Sequence, residues 1–321
     1  MKTLKIKFVD FWPGFVPQNS FIFKILSQRY ILEMSETPEL LFFSYSGTEN
    51  VKSKYDHCIK VFYTGENIVP DFNLCDFAIG FDNIVFGDRY MRLPLFYTYP
   101  SFEQLRNKVI RKSREELLSR PFCSFVVSNS NGAPERTKFY KLLNEYKEVA
   151  CGGKLYNNVG GMVKDKLDFI SKYKFNIAFE NSSVFGYTTE KLMEPFVVDT
   201  LPIYWGNPEA YKDFNEKAFI NVNGFSSLEE AVEFVVKVDS DDDAYLNYFI
   251  YSDSLINNFG KRWEEHTLSF LQNAVNDRRE SSKRLVDYGS QAVYRKRLRQ
   301  AYHYFDIVLS AKLFFSKYIG R

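Results

Sequence analysis

The stretch FNIAFENSSVFGYTTEKL, residues 175–192, places an acid and an amide after an apolar run and then opens a new element with Glu190 and Lys191. FNIAF is typical of a buried strand, and TTEKL begins a helix behind a threonine cap. Free backbone N–H groups at a helix start, with a lysine beside them, commonly bind phosphate oxygens. Gly186 lets the loop backbone approach a ligand, whereas Pro195 predicts a kinked or late-starting helix. The stretch therefore predicts a strand-loop-helix unit, either a plain structural one or one that holds a phosphate-bearing ligand.

Strand and helix patterns alternate along the rest of the chain. In the first half the sequence predicts strands 4–9, 40–45, 58–63 and 77–81 and a helix at 21–30. A charged helical segment, 101–119, connects the halves. The second half predicts strands 122–128, 148–150, 175–179, 201–205 and 218–222, with helices near Pro134, at 163–173, from Glu190, at 208–214 and from about 226. Such alternation predicts two parallel doubly wound sheets in tandem, with ligands at the carboxyl ends of their strands and a cleft between the domains.

Composition supports this organisation and disfavours two enzyme classes. With 321 residues, 45% of them hydrophobic and 26% charged, the chain suits two globular domains of ordinary size. Aromatic residues make up 18%, which predicts aromatic cores or, alternatively, a cleft in which sugars stack. Neither GxxxxGK[ST] nor GxGxxG is present, so an NTPase and a dinucleotide-dependent dehydrogenase are disfavoured.

Positive charge is concentrated at the end of the chain. The formal net charge is +2, but residues 281–321 hold nine Lys or Arg against two acids, a local charge of +7. Basic groups alternate there with Tyr, Phe, Leu and Ile, which predicts a basic amphipathic helix. Such a helix binds an anionic membrane surface or packs on the body of the protein. No nucleic-acid motif accompanies the charge, so we expect no nucleic-acid partner.

The beginning of the chain and the cysteines indicate the compartment. MKTLKIKFVD alternates apolar and charged residues as a strand does and lacks the unbroken apolar core of a signal peptide. No uncharged apolar run reaches the length of about 18 residues that spans a membrane. The four cysteines are widely spaced, without a CxxC pair or a zinc-binding cluster, which predicts buried, reduced thiols. We expect a cytoplasmic protein, with peripheral attachment at the inner face of the membrane as the alternative that the tail raises.

Two residues outside the opening stretch are candidates for chemistry. Glu66 follows strand 58–63 in VFYTGEN, where partial desolvation by Phe62 and Tyr63 would suit a general base; a solvated loop carboxylate is the alternative. Arg136 falls early in the helix after strand 122–128, and an arginine there can hold two phosphate oxygens. An ordinary surface arginine is the competing interpretation.

A metal site is not predicted. DSDDD, residues 239–243, contains the Asp-x-Asp spacing with which metal-dependent glycosyltransferases hold manganese, but it follows a helix and not a strand. A solvated helix-helix turn is the favoured interpretation. His57, His266 and His303 lie far apart in sequence and form no catalytic pattern.

Taken as a set, the motifs resemble a known family. They are similar, in order over residues 20–250, to those of the bacterial α-1,3-fucosyltransferases of glycosyltransferase family 10. The segments that carry the resemblance are YTGEN (63–67), FNLCDFAIGFD (72–82), DRYMRLP (88–94), FCSFVVSN (122–129), CGGKLYNN (151–158), FENS (179–182), YTTEKL (187–192) and LPIYWGNP (201–208). The FENS, TEKL and PIYWG series is specific for that family.

The resemblance implies the GT-B fold, an α/β architecture of two Rossmann-like domains facing across a cleft, with C-terminal helices. It implies an acceptor-binding domain at 1–118, a GDP-fucose-binding domain at 119–280 and the basic helical tail at 281–321. By motif, Glu66 is the implied general base. Arg136 and Lys191 are the implied pyrophosphate ligands. The further implied donor contacts are Asn181, Tyr187 and Glu190, the last on a sugar hydroxyl.

The implied reaction is an inverting displacement in which an acceptor hydroxyl attacks the fucose anomeric carbon as GDP leaves. The expected acceptor is a galactose-β-1,4-N-acetylglucosamine unit, fucosylated at the glucosamine O3. No cofactor is required, and a divalent metal would at most stimulate. We expect neither the seven-residue repeats of some bacterial relatives nor the membrane anchor of animal Golgi members. Alternatives are an α-1,4 linkage or transfer to glucose, a GT-B transferase of another nucleotide sugar, and a non-catalytic glycan-binding relative.

Overall fold

The structure, a computed structural model, describes residues 1–108, 111–254, 256–277 and 288–318. Its contacts divide the chain into two compact units. Unit 1 comprises residues 1–80, 84–93 and the described part of 264–321, and unit 2 comprises residues 81–83 and the described part of 94–263.

The described residues form the following elements in chain order. The first half contains β1 (Lys2–Val9), α1 (Phe21–Leu26), β2 (Tyr30–Met34), β3 (Leu40–Phe43), β4 (Ile59–Tyr63), β5 (Phe77–Gly80), β6 (Tyr90–Arg92), α2 (Pro100–Arg106) and α3 (Arg114–Leu118). The second half contains β7 (Cys123–Phe125), α4 (Pro134–Tyr146), β8 (Val149–Cys151), α5 (Lys166–Ile170), β9 (Phe175–Phe179), α6 (Glu190–Val197), β10 (Leu201–Trp205), β11 (Ile220–Asn221), α7 (Leu228–Ser240), α8 (Asp242–Asn247), α9 (Asn258–Lys261), α10 (Trp263–Asn276) and α11 (Gly289–Tyr318).

Unit 1 is built on a six-stranded parallel sheet in the order β2-β1-β3-β4-β5-β6. β3, β4 and β5 are buried along their whole length, as strands of a parallel sheet covered on both faces are. The strands predicted in this half are confirmed. β2 and β6 escape the sequence pattern because β2 is a partly exposed edge strand and β6 has only three residues. The predicted helix 21–30 is shorter and ends at Leu26, since Tyr30 already starts β2.

Unit 2 is built on a five-stranded parallel sheet in the order β11-β10-β9-β7-β8. All of its strands are those predicted, and β9 and β10 have the predicted bounds. The chain passes from β7 to β8 on one side and then returns to β9 on the other. The connections therefore diverge between β7 and β9, which is the point where open parallel sheets bind ligands.

Several predicted helices of this half are wrong in extent. The segment 101–119 is interrupted, because Ser113 and Glu116 form a capping box that starts α3 anew. The predicted helix 208–214 is a 3-10 turn at Ala210–Lys212, and the predicted helix 163–173 is reduced to α5.

The acidic DSDDD segment is not a solvated turn throughout. Asp239 lies within α7 with its carboxylate almost fully buried, 2.6 Å from Lys147 Nζ and 2.9 Å from Lys174 Nζ. Asp241 caps α8 by accepting the N–H groups of Asp243 and Ala244. The prediction of a solvated turn is therefore wrong for Asp239, because an ion pair compensates its burial.

The compact units also differ from the predicted domain limits. The sequence predicts a boundary at residue 118, but α2 and α3 belong to unit 2, and the described part of the basic tail belongs to unit 1. In α11, Arg299 donates to Asp56, and Arg295 Nη2 lies 4.0 Å from the same carboxylate. These contacts support packing of the tail on the body. Tail residues Lys283, Arg284, Asp287 and Arg321 lie outside the described residues.

All four cysteines are free and buried, as predicted. Burial raises the pKa of Cys58 to about 11 and also raises that of Cys75. Within the described part of the chain, no helix combines the length and apolarity that crossing a membrane requires.

Candidate active site

A pocket with about 790 Å³ of empty space opens in unit 2 where the strand order diverges. Residues 125–129, which begin at the last residue of β7, form one wall, and residues of β9 together with Asn181 form another. Arg136 of α4, Lys166 of α5 and the Glu190–Lys191 start of α6 complete the lining. The pocket therefore gathers residues from five elements, β7, α4, α5, β9 and α6, at the carboxyl ends of the strands, where the sequence predicts ligand binding.

Arg136 is held in this pocket with little freedom. It lies in the first turn of α4, which begins at Pro134, and only 4% of the residue is exposed. Its Nη1 donates to Asn181 Oδ1 at 2.9 Å, and its Nη2 donates to the backbone oxygen of Asn129. Burial lowers the pKa of its guanidinium. The interpretation as an ordinary surface arginine is therefore wrong, and Arg136 and Asn181 are neighbours as the family motifs imply.

Gly132 leaves room for that guanidinium. A Cβ atom on Gly132 would lie 2.3 Å from Arg136 Cζ, closer than real contacts allow. A side chain at this position would displace the guanidinium from the pocket, so the SNGAPER segment is shaped around Arg136.

Lys191 is surrounded by carboxylates. Its Nζ lies 3.2 Å from Glu180 Oε2 and 3.6 Å from Glu190 Oε1, and it also lies 3.1 Å from Thr189 Oγ1. Burial opposes the charge of Lys191, but the two glutamates outweigh it and raise the pKa of Lys191. The ammonium therefore stays protonated next to the pocket.

The start of α6 differs from the sequence prediction of free N–H groups. The Thr189 N–H donates to Glu180 Oε1 at 2.7 Å, and the Lys191 N–H donates to Thr189 Oγ1 at 3.4 Å. Glu180 has no exposed surface, and its Oε2 accepts the Thr189 hydroxyl at 2.7 Å. A carboxylate of the protein thus occupies the anion-binding end of the helix, so the helix start itself offers a phosphate fewer N–H groups than the sequence suggests.

Gly186 also has a role other than the predicted one. It has a φ of +81°, and a Cβ atom there would lie 2.6 Å from the Phe81 backbone oxygen. The glycine therefore permits close packing of two backbone segments of unit 2, and this packing sets the path of the loop that leads into Thr189 and Glu190.

Asn207, from the LPIYWGNP segment, fixes the same loop. It is fully buried, and its Oδ1 accepts the N–H groups of Gly186 at 2.8 Å and Glu209 at 2.9 Å. Its Nδ2 donates to Thr188 Oγ1 at 2.9 Å, and its N–H donates to the Tyr204 hydroxyl at 2.9 Å. The segment after β10 therefore positions the loop that carries Glu190 and Lys191.

Glu190 lines the pocket and contacts residues that sequence reasoning missed. Burial opposes its ionisation, but Lys191 and Lys166 outweigh burial and lower the pKa of Glu190. Burial raises the pKa of Tyr99, and the charge of Glu190 and a hydrogen bond with it raise that pKa further. Lys166 Nζ lies 2.5 Å from Glu194 Oε2. Tyr99 and Lys166 lie outside the motifs that carry the family resemblance, and no local pattern marks them.

Asn129 and Asn176 are further pocket residues without a sequence prediction. Asn129 ends the strand-like run FCSFVVSN and lines the pocket. Its position just after a predicted strand is the one sequence feature that could have indicated this. Asn176 lies inside β9, and its Nδ2 donates to Ser124 Oγ at 3.0 Å. It therefore ties β9 to β7 at the floor of the pocket.

Tyr187 is placed differently from the other predicted donor contacts. It is 5% exposed, does not line the pocket, and packs edge-on against Phe81 with ring centroids 5.1 Å apart. A direct contact of Tyr187 with a donor stays a prediction.

Glu66 belongs to unit 1 and follows the carboxyl end of β4. Its N–H donates to Thr64 Oγ1 at 3.0 Å, and the residue is exposed. Phe62 and Tyr63 are buried in the sheet, so the expected partial burial of Glu66 by these two residues is wrong. Among the residues that the structure describes, no group of three or more His, Cys, Asp and Glu side chains is placed to hold a metal ion.

Comparison with known proteins assigns the chain to a family. Residues 119–288 match the C-terminal part of glycosyltransferase family 10 (fucosyltransferase), and residues 6–99 match the N-terminal domain of the α-(1,3)-fucosyltransferase FucT. The chain belongs to glycosyltransferase family 10. Every pocket residue predicted from sequence lies in the C-terminal match, and Glu66 lies in the N-terminal one.

Named relatives agree with this assignment. In an alignment 288 residues long that covers 79% of this chain and 60% of the other protein, the chain is 37% identical to the α-(1,3)-fucosyltransferase FucT of Helicobacter pylori. It is 34% identical to the mouse 4-galactosyl-N-acetylglucosaminide 3-α-L-fucosyltransferase 9 over 44% of this chain and 40% of that protein. The chain thus spans less than two thirds of the length of these relatives.

A solved structure supports the fold. The crystal structure of an α1,3-fucosyltransferase with GDP-fucose is 33% identical, covers 85% of this chain and 90% of its own, and has a TM-score of 0.73. With the two parallel sheets and their helices, this similarity confirms the predicted GT-B fold with Rossmann-like domains.

Proposed function

We propose that this protein is an inverting α-1,3-fucosyltransferase that transfers L-fucose from GDP-fucose to O3 of N-acetylglucosamine in N-acetyllactosamine-type glycans. The observation that carries the proposal is the pocket of unit 2, where Arg136, Lys166 and Lys191 line one cavity at the point of strand divergence. A similar α1,3-fucosyltransferase was crystallised with GDP-fucose, and a relative is named for a galactosyl-N-acetylglucosamine acceptor.

The pocket suits a nucleoside diphosphate sugar. In the proposal, Arg136 and Lys191 face the pyrophosphate, Asn181 stays bound to Arg136, and Glu190 accepts a hydroxyl of the sugar. Charge on the leaving diphosphate grows in the transition state, and preorganised cations stabilise it without protonation. Because both cations are already held by neighbouring groups, little reorganisation accompanies the reaction. No metal cofactor is part of this mechanism.

Glu66 is the proposed general base. The O3 proton of the acceptor passes to its carboxylate, the bond from O3 to the fucose anomeric carbon forms, and the bond from that carbon to the diphosphate oxygen breaks on the opposite face. The configuration is inverted, and GDP leaves with the electron pair. Exposure of Glu66 is compatible with this role, since a general base must reach an acceptor that binds from solvent.

The test is GDP release from GDP-fucose with and without N-acetyllactosamine, in EDTA, for the intact protein, Glu66→Gln and the control Glu33→Gln. Glu33 is an exposed glutamate of the edge strand β2 in the same unit. We expect acceptor-dependent release that survives EDTA, falls by about 10²–10⁴-fold in Glu66→Gln and is retained in the control. NMR of the product distinguishes the α-1,3 linkage from α-1,4 and from transfer to glucose.

Three results would contradict parts of the proposal. Release that collapses in EDTA would refute metal independence, and full activity of Glu66→Gln would refute the assignment of the base. Absence of release from the intact protein would refute the donor or the acceptor, and a binding titration with GDP-fucose would then show which of the two is wrong.

A further inference from the structure

The loop after β1 in unit 1 presents an indole on a stack of aromatic rings. Trp12 is 43% exposed, and its ring meets Phe15 edge-on with centroids 5.0 Å apart. Phe15 stacks on Phe11 at 4.0 Å and contacts Phe8 at 5.7 Å. Phe8 in turn stacks at 4.9 Å on Phe42, a fully buried residue of β3. The indole is thus supported from the core while part of its surface faces solvent.

The backbone of this loop is braced in an uncommon conformation. Asp10 has a φ of +60°, which a residue with a side chain adopts at a cost of about 1–3 kcal/mol. Its carboxylate accepts the N–H groups of Glu49 at 2.9 Å and Asn50 at 2.8 Å, and its carbonyl accepts that of Ser46 at 2.8 Å. These bonds compensate the strain and hold the start of the loop that carries Trp12.

Trp12 and Glu66 share one edge of the sheet. β1 pairs with β3 and β3 pairs with β4, all parallel, so the loops that follow these strands emerge on the same side. Phe11 lies 6.5 Å from Tyr63, ring to ring, and Tyr63 ends β4 shortly before Glu66. The loop that carries the exposed indole therefore emerges on the same side of the sheet as the loop that carries the proposed general base, within the same compact unit.

We propose that Trp12 is the stacking platform for the β-galactose ring of the acceptor, an inference that rests on the proposed function. The C–H groups at positions 3, 4 and 5 of β-galactose lie on one face and carry partial positive charge, which the negative face of an indole attracts. Galactose offers this continuous apolar face because its O4 is axial on the other side. A tryptophan side chain loses little conformational entropy when it binds a ligand, because it has only two rotatable side-chain bonds. The hydrogen bonds at the start of the loop reduce this entropy loss further.

The proposal predicts a defect that depends on the galactose ring. Trp12→Ala should raise the KM for N-acetyllactosamine by about tenfold, the equivalent of about 1.4 kcal/mol, and leave the KM for N-acetylglucosamine alone unchanged. Acceptor-independent hydrolysis of GDP-fucose should be unchanged, and Trp12→Phe should retain most of the affinity. Tyr304→Ala is the matched control, since Tyr304 is a 70% exposed aromatic residue of α11 in unit 1. An unchanged KM for N-acetyllactosamine, or equal increases for both acceptors, would overturn the proposal.

A binding measurement separates this proposal from the proposed function. In saturation-transfer NMR with N-acetyllactosamine, H3, H4 and H5 of galactose should receive saturation from the intact protein and lose it in Trp12→Ala. If that pattern holds while the intact protein releases no GDP, the platform stands and the donor assignment fails. If turnover is normal while neither the KM nor the saturation pattern responds to Trp12→Ala, the platform is refuted and the fucosyltransferase assignment stands.

Discussion

Glu180 and Asp239 are two of the buried carboxylates of unit 2 that bind lysines, and the structure predicts opposite consequences when each of these two is neutralised. Glu180 contacts Thr189 and Lys191 beside the pocket, and Asp239 contacts Lys147 and Lys174 elsewhere in unit 2. Burial raises the pKa of Glu180. Burial also opposes the charge of Asp239, but Lys147 and Lys174 outweigh it and lower the pKa of Asp239. The charge of Glu180 is thus unfavourable for folding, whereas that of Asp239 is favourable.

Glu180→Gln should weaken donor binding without lowering stability. The glutamine oxygen can still accept the Thr189 N–H, but its NH₂ group then faces the ammonium of Lys191, 3.2 Å away in the native protein. Losing one hydrogen bond to a charged group costs about 1.5–3 kcal/mol, so the Kd for GDP-fucose should rise by about 10–100-fold. The lost bond is offset in the folding free energy, because a neutral amide is cheaper to bury than a carboxylate whose pKa is raised.

Asp239→Asn should lower stability without weakening donor binding. Removing the Asp239 carboxylate leaves the ammonium of Lys174 without this charged partner. Because only 9% of the Lys174 side chain is exposed, the loss costs about 3–5 kcal/mol of folding free energy. Because the folded-state pKa of Asp239 is lower than that of the unfolded chain, its contribution is present above the unfolded-state pKa. It is lost as the pH falls through the folded-state pKa, and the variant should lack that acidic dependence.

The assay is calorimetric titration with GDP-fucose together with urea unfolding at several pH values. Equal losses of stability in the two variants, or an unchanged Kd in Glu180→Gln, would refute the reasoning that Glu180 serves to position Lys191. A pH dependence in Asp239→Asn identical to that of the intact protein would refute the assignment for Asp239.

Three further predictions concern Arg136, Asn207 and the contact of α11 with Asp56. Arg136→Lys should lose the hydrogen bond to Asn181 and reduce kcat/KM by the equivalent of about 2–4 kcal/mol, with a small change in Tm. Steady-state kinetics would measure the reduction, and full activity would contradict the prediction. Asn207→Ala removes the acceptor of one buried and one partly buried N–H group and should lower the free energy of unfolding by about 2–4 kcal/mol. Urea titration would measure this loss, and an unchanged midpoint would refute the role of Asn207 in fixing the loop. Asp56→Asn should weaken the contact with Arg299, so amide hydrogen exchange in α11 should accelerate. Unaltered exchange would show that other contacts hold α11 in unit 1.

Much of the fold could be predicted because its signals are local. β9 and β10 are apolar runs between turn residues, and α6 begins at Glu190 because Thr189 caps it. Elements without a strong local signal could not be predicted in this way. β2 is an edge strand that gains its structure from pairing with β1, and no run of buried residues marks it. Pairing between distant segments is a tertiary interaction, so sequence periodicity does not contain it.

For the site, the motifs identify residue types but not partners. Arg136, Asn181, Glu190 and Lys191 do meet in one pocket. Their prediction came from resemblance and from the position of each after a strand or at a helix start. The sequence gives no indication that the Glu180 carboxylate would take the N–H group of Thr189 for which a phosphate was expected. Such competition depends on how the loop between β9 and α6 folds, which brings Thr189 to the Glu180 carboxylate.

The sequence by itself determines that this chain alternates strands and helices in two tandem sheets, and that Glu190 and Lys191 stand at a helix start. Those features follow from residue periodicity and capping, which act over a few positions. Only the tertiary structure decides that Arg136 is buried against Asn181 and that Trp12 is exposed on an aromatic stack. Burial and charge compensation depend on which distant segments fold against each other, and these contacts are what give ordinary arginines and tryptophans their proposed functions.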